Sequence, residues 1–294
     1  MLLSWRLLPC TIFLALVSPA IADQQPQAIK GIVFARIGED ELKLDLFLPA
    51  EARRPSLVVW VHGGGWRSGS RDNVPIAGLA QAGYAVASVD YRLSPVAAFP
   101  AQVHDIKAAL RYLRANAERY GFDARRIAIA GASAGGHLAA LVGTTSGHPG
   151  LEGAVGDHLD QSSDVAAIVD YYGPTNFMTI LPQSTPHGLG VRIPALQLLL
   201  RGQPEDKPEL AQLASPVFHV DAGDPPLLLV HGDQDPQAPI NQSHELHGRY
   251  EELGLPVQFE VIHGGAHGGP QFFDGRRIDL LKSFLDEHLR AAAE

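Results

Sequence analysis

Gly131-Ala132-Ser133-Ala134-Gly135 sets up a serine for nucleophilic attack. A short apolar run, Ile127 to Ala130, leads into it, and small and helix-forming residues through Leu141 follow. A strand that turns this sharply into a helix forces its central residue into strained backbone geometry and leaves the hydroxyl exposed. The residues two before and two after the serine lie against strand and helix backbones, so glycine at 131 and 135 has a steric cause. Three further groups could serve such a serine. His62-Gly63-Gly64-Gly65-Trp66 holds three successive glycines, whose amides can turn toward an oxyanion with no side chain in the way. His231-Gly232-Asp233-Gln234-Asp235-Pro236 offers carboxylates, and His263-Gly264-Gly265-Ala266-His267-Gly268-Gly269 offers imidazoles. Serine, general base, orienting acid and oxyanion-binding amides together make an acyl-transfer centre.

These groups need elements to carry them. The pattern predicts strands over Gly31 to Arg36, Leu42 to Leu48, Leu57 to Val61, Tyr84 to Val89, Ile127 to Ala130, Ala166 to Asp170, Leu227 to Val230 and Val257 to Ile262. The second alternates Leu42, Leu44, Leu46 and Leu48 with Lys43, Asp45 and Phe47, which reads as an antiparallel strand with one open face. The third, fifth and seventh are continuous apolar runs, as in strands buried on both faces of a parallel sheet. Between strands, Val103, Ile106, Leu110 and Leu113 fall at helical spacing, as do Ile278, Leu281, Leu285 and His288. The order predicts an antiparallel hairpin followed by a doubly wound α/β sheet: eight mostly parallel strands with helices on both faces.

In open sheets of this kind, reactive groups collect beyond the carboxyl ends of the strands. The glycine run follows the third predicted strand, Ser133 the fifth, Asp233 and Asp235 the seventh, and His263 and His267 the eighth. His263 sits at the strand end, too early to reach over the serine, so His267 is the expected base. Asp233 comes three residues after Val230 and reads as a turn residue. Asp235 lies further out, before a proline that biases its backbone toward an extended conformation, and is the expected acid. Amides of Gly64, Gly65 and Ala134 are expected to hold the oxyanion. From Pro174 to Pro216 there are seven prolines and no strand pattern. This stretch reads either as an irregular surface excursion with one short helix, or as a small cap over the site. As a cap it would bring Phe177, Met178 and Leu181, with Trp66, to an apolar substrate pocket.

Composition narrows the function classes. The 294 residues are 46% hydrophobic and 19% charged, enough for one large core, so residues 23–294 are expected to form a single catalytic domain. A formal charge of -9, with arginine pairs only at 53–54, 125–126 and 276–277, argues against nucleic acid or an anionic membrane as partner. The thirteen histidines contain no His-Glu-x-x-His or comparable ligand set, and no dinucleotide-binding glycine fingerprint follows a first strand. No metal or cofactor is expected. Arg6, the apolar run Leu7 to Val17 and the Ala20-Ile21-Ala22 pattern read as a signal peptide over residues 1–22, which implies a secreted or periplasmic enzyme. The apolar run is too short for a membrane anchor, which needs about 20 residues. The single cysteine, Cys10, would leave with the signal.

From Leu42 to the C-terminus the sequence resembles the α/β-hydrolase esterases of the hormone-sensitive-lipase-like group. The resemblance is strongest to the branch with bifunctional feruloyl and acetylxylan esterases. It rests on His62 to Trp66, Asp90-Tyr91-Arg92-Leu93-Ser94-Pro95, Gly131 to Gly136, Ala214-Ser215-Pro216, Asp224-Pro225-Pro226 and His231 to Asp235. Where the family usually continues the acid motif with two aliphatic residues and a proline, this sequence has Pro236-Gln237-Ala238-Pro239. The resemblance implies Ser133, Asp235 and His267 as a catalytic triad. It also implies a small-molecule or polysaccharide-linked ester substrate with a short acyl or hydroxycinnamoyl group. Aryl formamidases share a similar histidine-glycine motif, and prolyl-oligopeptidase-type peptidases a similar elbow. A catalytically inactive binding scaffold is the non-enzymatic alternative.

Overall fold

The structure is a computed structural model that describes residues 25–289; the segment read as a signal peptide, and Cys10 within it, lie outside the described residues. The strands are β1 (Gln27–Ile37), β2 (Asp40–Leu48), β3 (Leu57–Val61), β4 (Ala85–Val89), β5 (Ile127–Ala132), β6 (Ala167–Tyr171), β7 (Leu227–Gly232) and β8 (Val257–Ile262). They form one sheet in the order β1-β2-β4-β3-β5-β6-β7-β8. The pairs β1/β2 and β2/β4 are antiparallel and every later pair is parallel. This is the antiparallel lead into a parallel sheet that the pattern predicts. The helices are α1 (Ala101–Ala115), α2 (Ala117–Tyr120), α3 (Ala134–Gly143), α4 (Pro149–Glu152), α5 (Ile180–Gln183), α6 (Pro186–Leu200), α7 (Pro208–Leu213), α8 (Asn241–Glu252) and α9 (Gly275–His288). Among the described residues no helix is long and apolar enough to cross a membrane.

The central strands are apolar throughout because each face meets a different core. Leu57, Val59 and Val61 of β3 pack with Val103, Ile106 and Leu110 of α1 and Leu138 and Leu141 of α3. Val58 and Trp60 point the other way, toward Leu281, Phe284 and Leu285 of α9. Period-two side chains on a doubly covered strand leave no polar position.

β2 departs from its expected open face. Asp45 is only 2% exposed, and it accepts from the Gly31 amide at 2.8 Å and Arg71 Nε at 2.9 Å. The carboxylate is buried because the register of β1 shifts between Ile29 and Ile32, which turns the Gly31 amide onto it, while Arg71 supplies the opposing charge.

The proline-rich stretch also departs from its reading as an irregular surface excursion. It contains α5, α7 and the fifteen-residue α6, rather than one short helix. Prolines 186 and 208 stand in the first turns of α6 and α7, where the missing N–H has no helical partner to lose. Thr185 caps α6 by accepting from the Gly188 amide at 3.1 Å.

Candidate active site

β5 ends in the turn that carries Ser133, and the turn is strained as its sequence requires: Ser133 has φ 56° and ψ −118°. A β-carbon on Gly131 would run into the Gly135 carbonyl, and one on Gly135 into the Val61 carbonyl of β3. The serine amide is anchored on β6 by donating to the Tyr171 carbonyl at 2.8 Å. Its hydroxyl lies 2.8 Å from His267 Nε2, and His267 Nδ1 lies 2.6 Å from Asp235 Oδ2. Asp235 is itself fixed, with Oδ1 accepting from the Gln237 and Ala238 amides at 2.8 and 2.9 Å. Asp233 is turned elsewhere. It accepts from His263 Nδ1 at 2.9 Å and the Gly264 amide at 2.7 Å, and His263 is 87% exposed.

The glycine run passes beside the serine. A β-carbon on Gly63 would touch Ser133 Cβ, and one on Gly64, whose φ is 108°, would collide with the Ser68 carbonyl. The amides of Gly64, Gly65 and Ala134 donate to no acceptor among the described residues, so they can receive an oxyanion. The loop is held from behind. His62 stacks on Tyr91 at 4.4 Å and its carbonyl accepts from the Tyr91 hydroxyl at 3.0 Å. Arg92 forms a forked ion pair with buried Asp105, and Asp90 accepts from the Arg71 amide at 2.9 Å. Trp66 Nε1 donates to His137 Nδ1 at 3.1 Å, and His137 Nε2 donates to the Ala214 carbonyl at 2.6 Å.

A cavity of about 630 Å³ opens over Ser133 and His267. Its walls include Gly64, Arg67, Tyr172, Gln237 and Phe273, with Val191, Arg192 and Ala195 from α6. The expected pocket residues are not among its lining. Trp66 and Phe177 are buried, with rings 5.5 Å apart, and both pack against His137 behind the glycine loop. Met178 and Leu181 pack against the larger core. The physical reason is the Phe177 amide, which donates to buried Ser215 Oγ at 2.9 Å and ties this end of the stretch inward. The wall is supplied one helix later.

A family model described as BD-FAE matches residues 44–250. The chain belongs to the BD-FAE family. It is 32% identical to esterase LipC of Mycobacterium tuberculosis over 81% of this chain and 60% of that one. It is 31% identical to esterase LipQ of the same organism over 70% of this chain and 48% of that one. It thus spans about half to three fifths of the length of these curated relatives. Among solved structures, a truncated carbohydrate esterase from gut microbiota superposes with TM-score 0.80 at 31% identity, covering 91% of this chain and 98% of that one. Thermogutta terrifontis esterase 2, phosphonylated by sarin, superposes with TM-score 0.75 at 26% identity, covering 90% and 96%. The fold is that of the α/β-hydrolase esterases.

The electrostatics of this BD-FAE site divide the charges between its two titrating groups. Burial pushes the Asp235 carboxyl up, but hydrogen bonds from His231 and His267 and from the Ala238 amide outweigh it and hold the carboxyl well below the ordinary range. Burial lowers His267, and the Arg192 charge lowers it further against the pull of Asp235, so the imidazole is neutral at pH 7 and free to accept a proton. His231 braces the acid from its far side. Its Nε2 lies 3.3 Å from Asp235 Oδ2 and donates to the Ala238 carbonyl at 3.0 Å, while Nδ1 accepts from the Ser243 hydroxyl at 2.7 Å. The Tyr172 ring stands edge-on to His267 at 4.9 Å. His231, Tyr172 and Arg192 join the site without having been expected from sequence. His231 had a signal, standing at the end of an apolar strand in the acid motif; Tyr172 and Arg192 had none in spacing. Among the described residues no cluster of three or more His, Cys, Asp or Glu could hold a metal ion.

Proposed function

We propose that the chain is a serine carboxylic-ester hydrolase that works through an acyl-enzyme on Ser133. The observation that carries this reading is the hydrogen-bonded series Ser133–His267–Asp235 at 2.8 and 2.6 Å, beside three free amides. A protonated serine is a poor nucleophile, so His267 Nε2 takes the hydroxyl proton as Oγ attacks the ester carbonyl. The imidazolium is stabilised by Asp235, and the carbonyl oxygen, now negative, accepts from Ala134 and from Gly64 or Gly65. Loss of one such donor costs about 3 kcal/mol of barrier. His267 returns the proton to the departing alcohol, and water repeats the cycle to release the acid.

Support also comes from relatives. Thermogutta terrifontis esterase 2 was solved phosphonylated by sarin and with propionate or butyrate bound, which favours a reactive serine and short acyl groups. The gut carbohydrate esterase favours a sugar-linked ester. The leader-like pattern of residues 1–22 favours an exported enzyme. A fluorophosphonate probe tests the reading directly: mass spectrometry should find the label on Ser133. An unlabelled protein, or a label confined to another serine, would refute it.

The buried imidazole sets the pH dependence. Once protonated, His267 cannot accept the serine proton, so kcat/KM on an uncharged ester such as p-nitrophenyl acetate should be flat above neutrality. It should fall with acid through an inflection below 6.5, the ordinary histidine value. An inflection above 6.5 would contradict the assigned environment.

A further inference from the structure

Arg192 is a charged side chain that the acyl-transfer steps leave unused. It belongs to α6 and is 1% exposed, yet it lines the cavity that opens over Ser133. Its Nε donates to the Gln237 carbonyl at 3.0 Å, and its guanidinium carbon stands 5.9 Å from the Trp66 ring centroid. A guanidinium has five N–H donors. One is used, and among the described residues no further hydrogen bond and no carboxylate within ion-pair distance engages the other four. Burial lowers its pKa to about 10 against the pull of the Asp235 charge, so it stays cationic at neutral pH.

A buried charge with most of its donors open is unfavourable unless something completes it. The rest of the wall has the same sign. Its formally charged side chains are Arg67 and Arg192, and no aspartate or glutamate lines it, although the whole chain carries -9. The backbone bond at Nε and the Trp66 ring fix the plane of the fork before any ligand arrives, which limits the ordering cost of binding. A planar fork of this kind matches a carboxylate in two parallel hydrogen bonds. A sugar hydroxyl could accept one of them but would leave the charge unbalanced.

We propose that Arg192 is a specificity residue that receives a carboxylate carried by the ester substrate, so that the site prefers esters bearing a free acid, such as those of acidic sugars or half-esters of diacids. The proposal rests on the ester-hydrolase reading.

Two matched pairs test it: 4-acetoxybenzoate against 4-acetoxybenzamide, with the acid on the departing alcohol, and monomethyl succinate against methyl succinamate, with the acid on the acyl group. Wild-type kcat/KM should favour the anionic member of at least one pair by about tenfold or more. Arg192→Gln should remove that preference, and Arg192→Lys, which keeps the charge without the fork, should retain part of it. The quantity read is the ratio within a pair, so a general loss of activity does not imitate the effect. Equal wild-type rates within both pairs would overturn the proposal without any variant having to fold, and so would a ratio unchanged in Arg192→Gln. If Ser133 takes the fluorophosphonate and neutral esters are hydrolysed without an anionic preference, this inference alone fails. If Ser133 stays unlabelled and no ester is turned over, the ester-hydrolase reading fails and takes the inference with it.

Discussion

Ser133→Ala should lower ester hydrolysis by about four to six orders of magnitude, the scale seen when a triad nucleophile is removed. The reason is local. The Ser133 hydroxyl makes one hydrogen bond, to His267, and gives no side-chain cap to α3, so its loss leaves the elbow without a structural partner to replace. The strained backbone is the same for alanine as for serine at φ 56°, so the stability should change by no more than a surface substitution changes it, about 0.5 kcal/mol. Turnover of p-nitrophenyl acetate by purified protein, with a thermal melt as control, measures both. Retention of more than a tenth of wild-type turnover would mean that another group is the nucleophile.

Asp235→Asn should cost about four orders of magnitude in turnover, while Asp233→Asn should stay within about threefold of wild type. Asparagine keeps one oxygen for the Gln237 and Ala238 amides but presents an NH2 group where Oδ2 now accepts from His267 Nδ1. Nδ1 must then act as acceptor, which places the ring proton on Nε2, and an Nε2 that carries a proton cannot take one from Ser133. The new donor also faces His231 Nε2, already donating to the Ala238 carbonyl, so two donors meet. Asp233 loses only an exposed contact to His263. Both variants assayed side by side decide the matter: a crippled Asp233→Asn beside an active Asp235→Asn would transfer the role of the acid.

The sequence by itself determined what depends on short-range pattern. Eight strands were legible because a strand covered on both faces must be apolar throughout, as Leu57 to Val61 is, and because short turns bound it. The elbow was legible because the steric demand at Gly131 and Gly135 comes from backbone close in sequence or on the neighbouring strand, whatever the rest of the chain does. The order of serine, acid and base along the chain was equally plain, since a parallel sheet delivers every strand end to one edge.

Tertiary structure decided whatever depends on which distant groups meet. Asp45 sits at a position whose alternation says solvent, and only the register shift in β1 and the arrival of Arg71 make it a buried ion pair. The prolines of residues 174–216 suggested irregular chain, yet two of them start helices, a distinction that needs the helix boundary and not the composition. Phe177 and Trp66 had the character of pocket residues but pack on His137, because the contacts that draw them inward come from residues 137 and 215. Arg192 falls in the proline-rich stretch, where no sequence pattern gives it a role. The fold carries it into the cavity beside Ser133, since α6 packs with Trp66 and Gln237 beneath it, and no spacing rule links three residues that far apart in the chain.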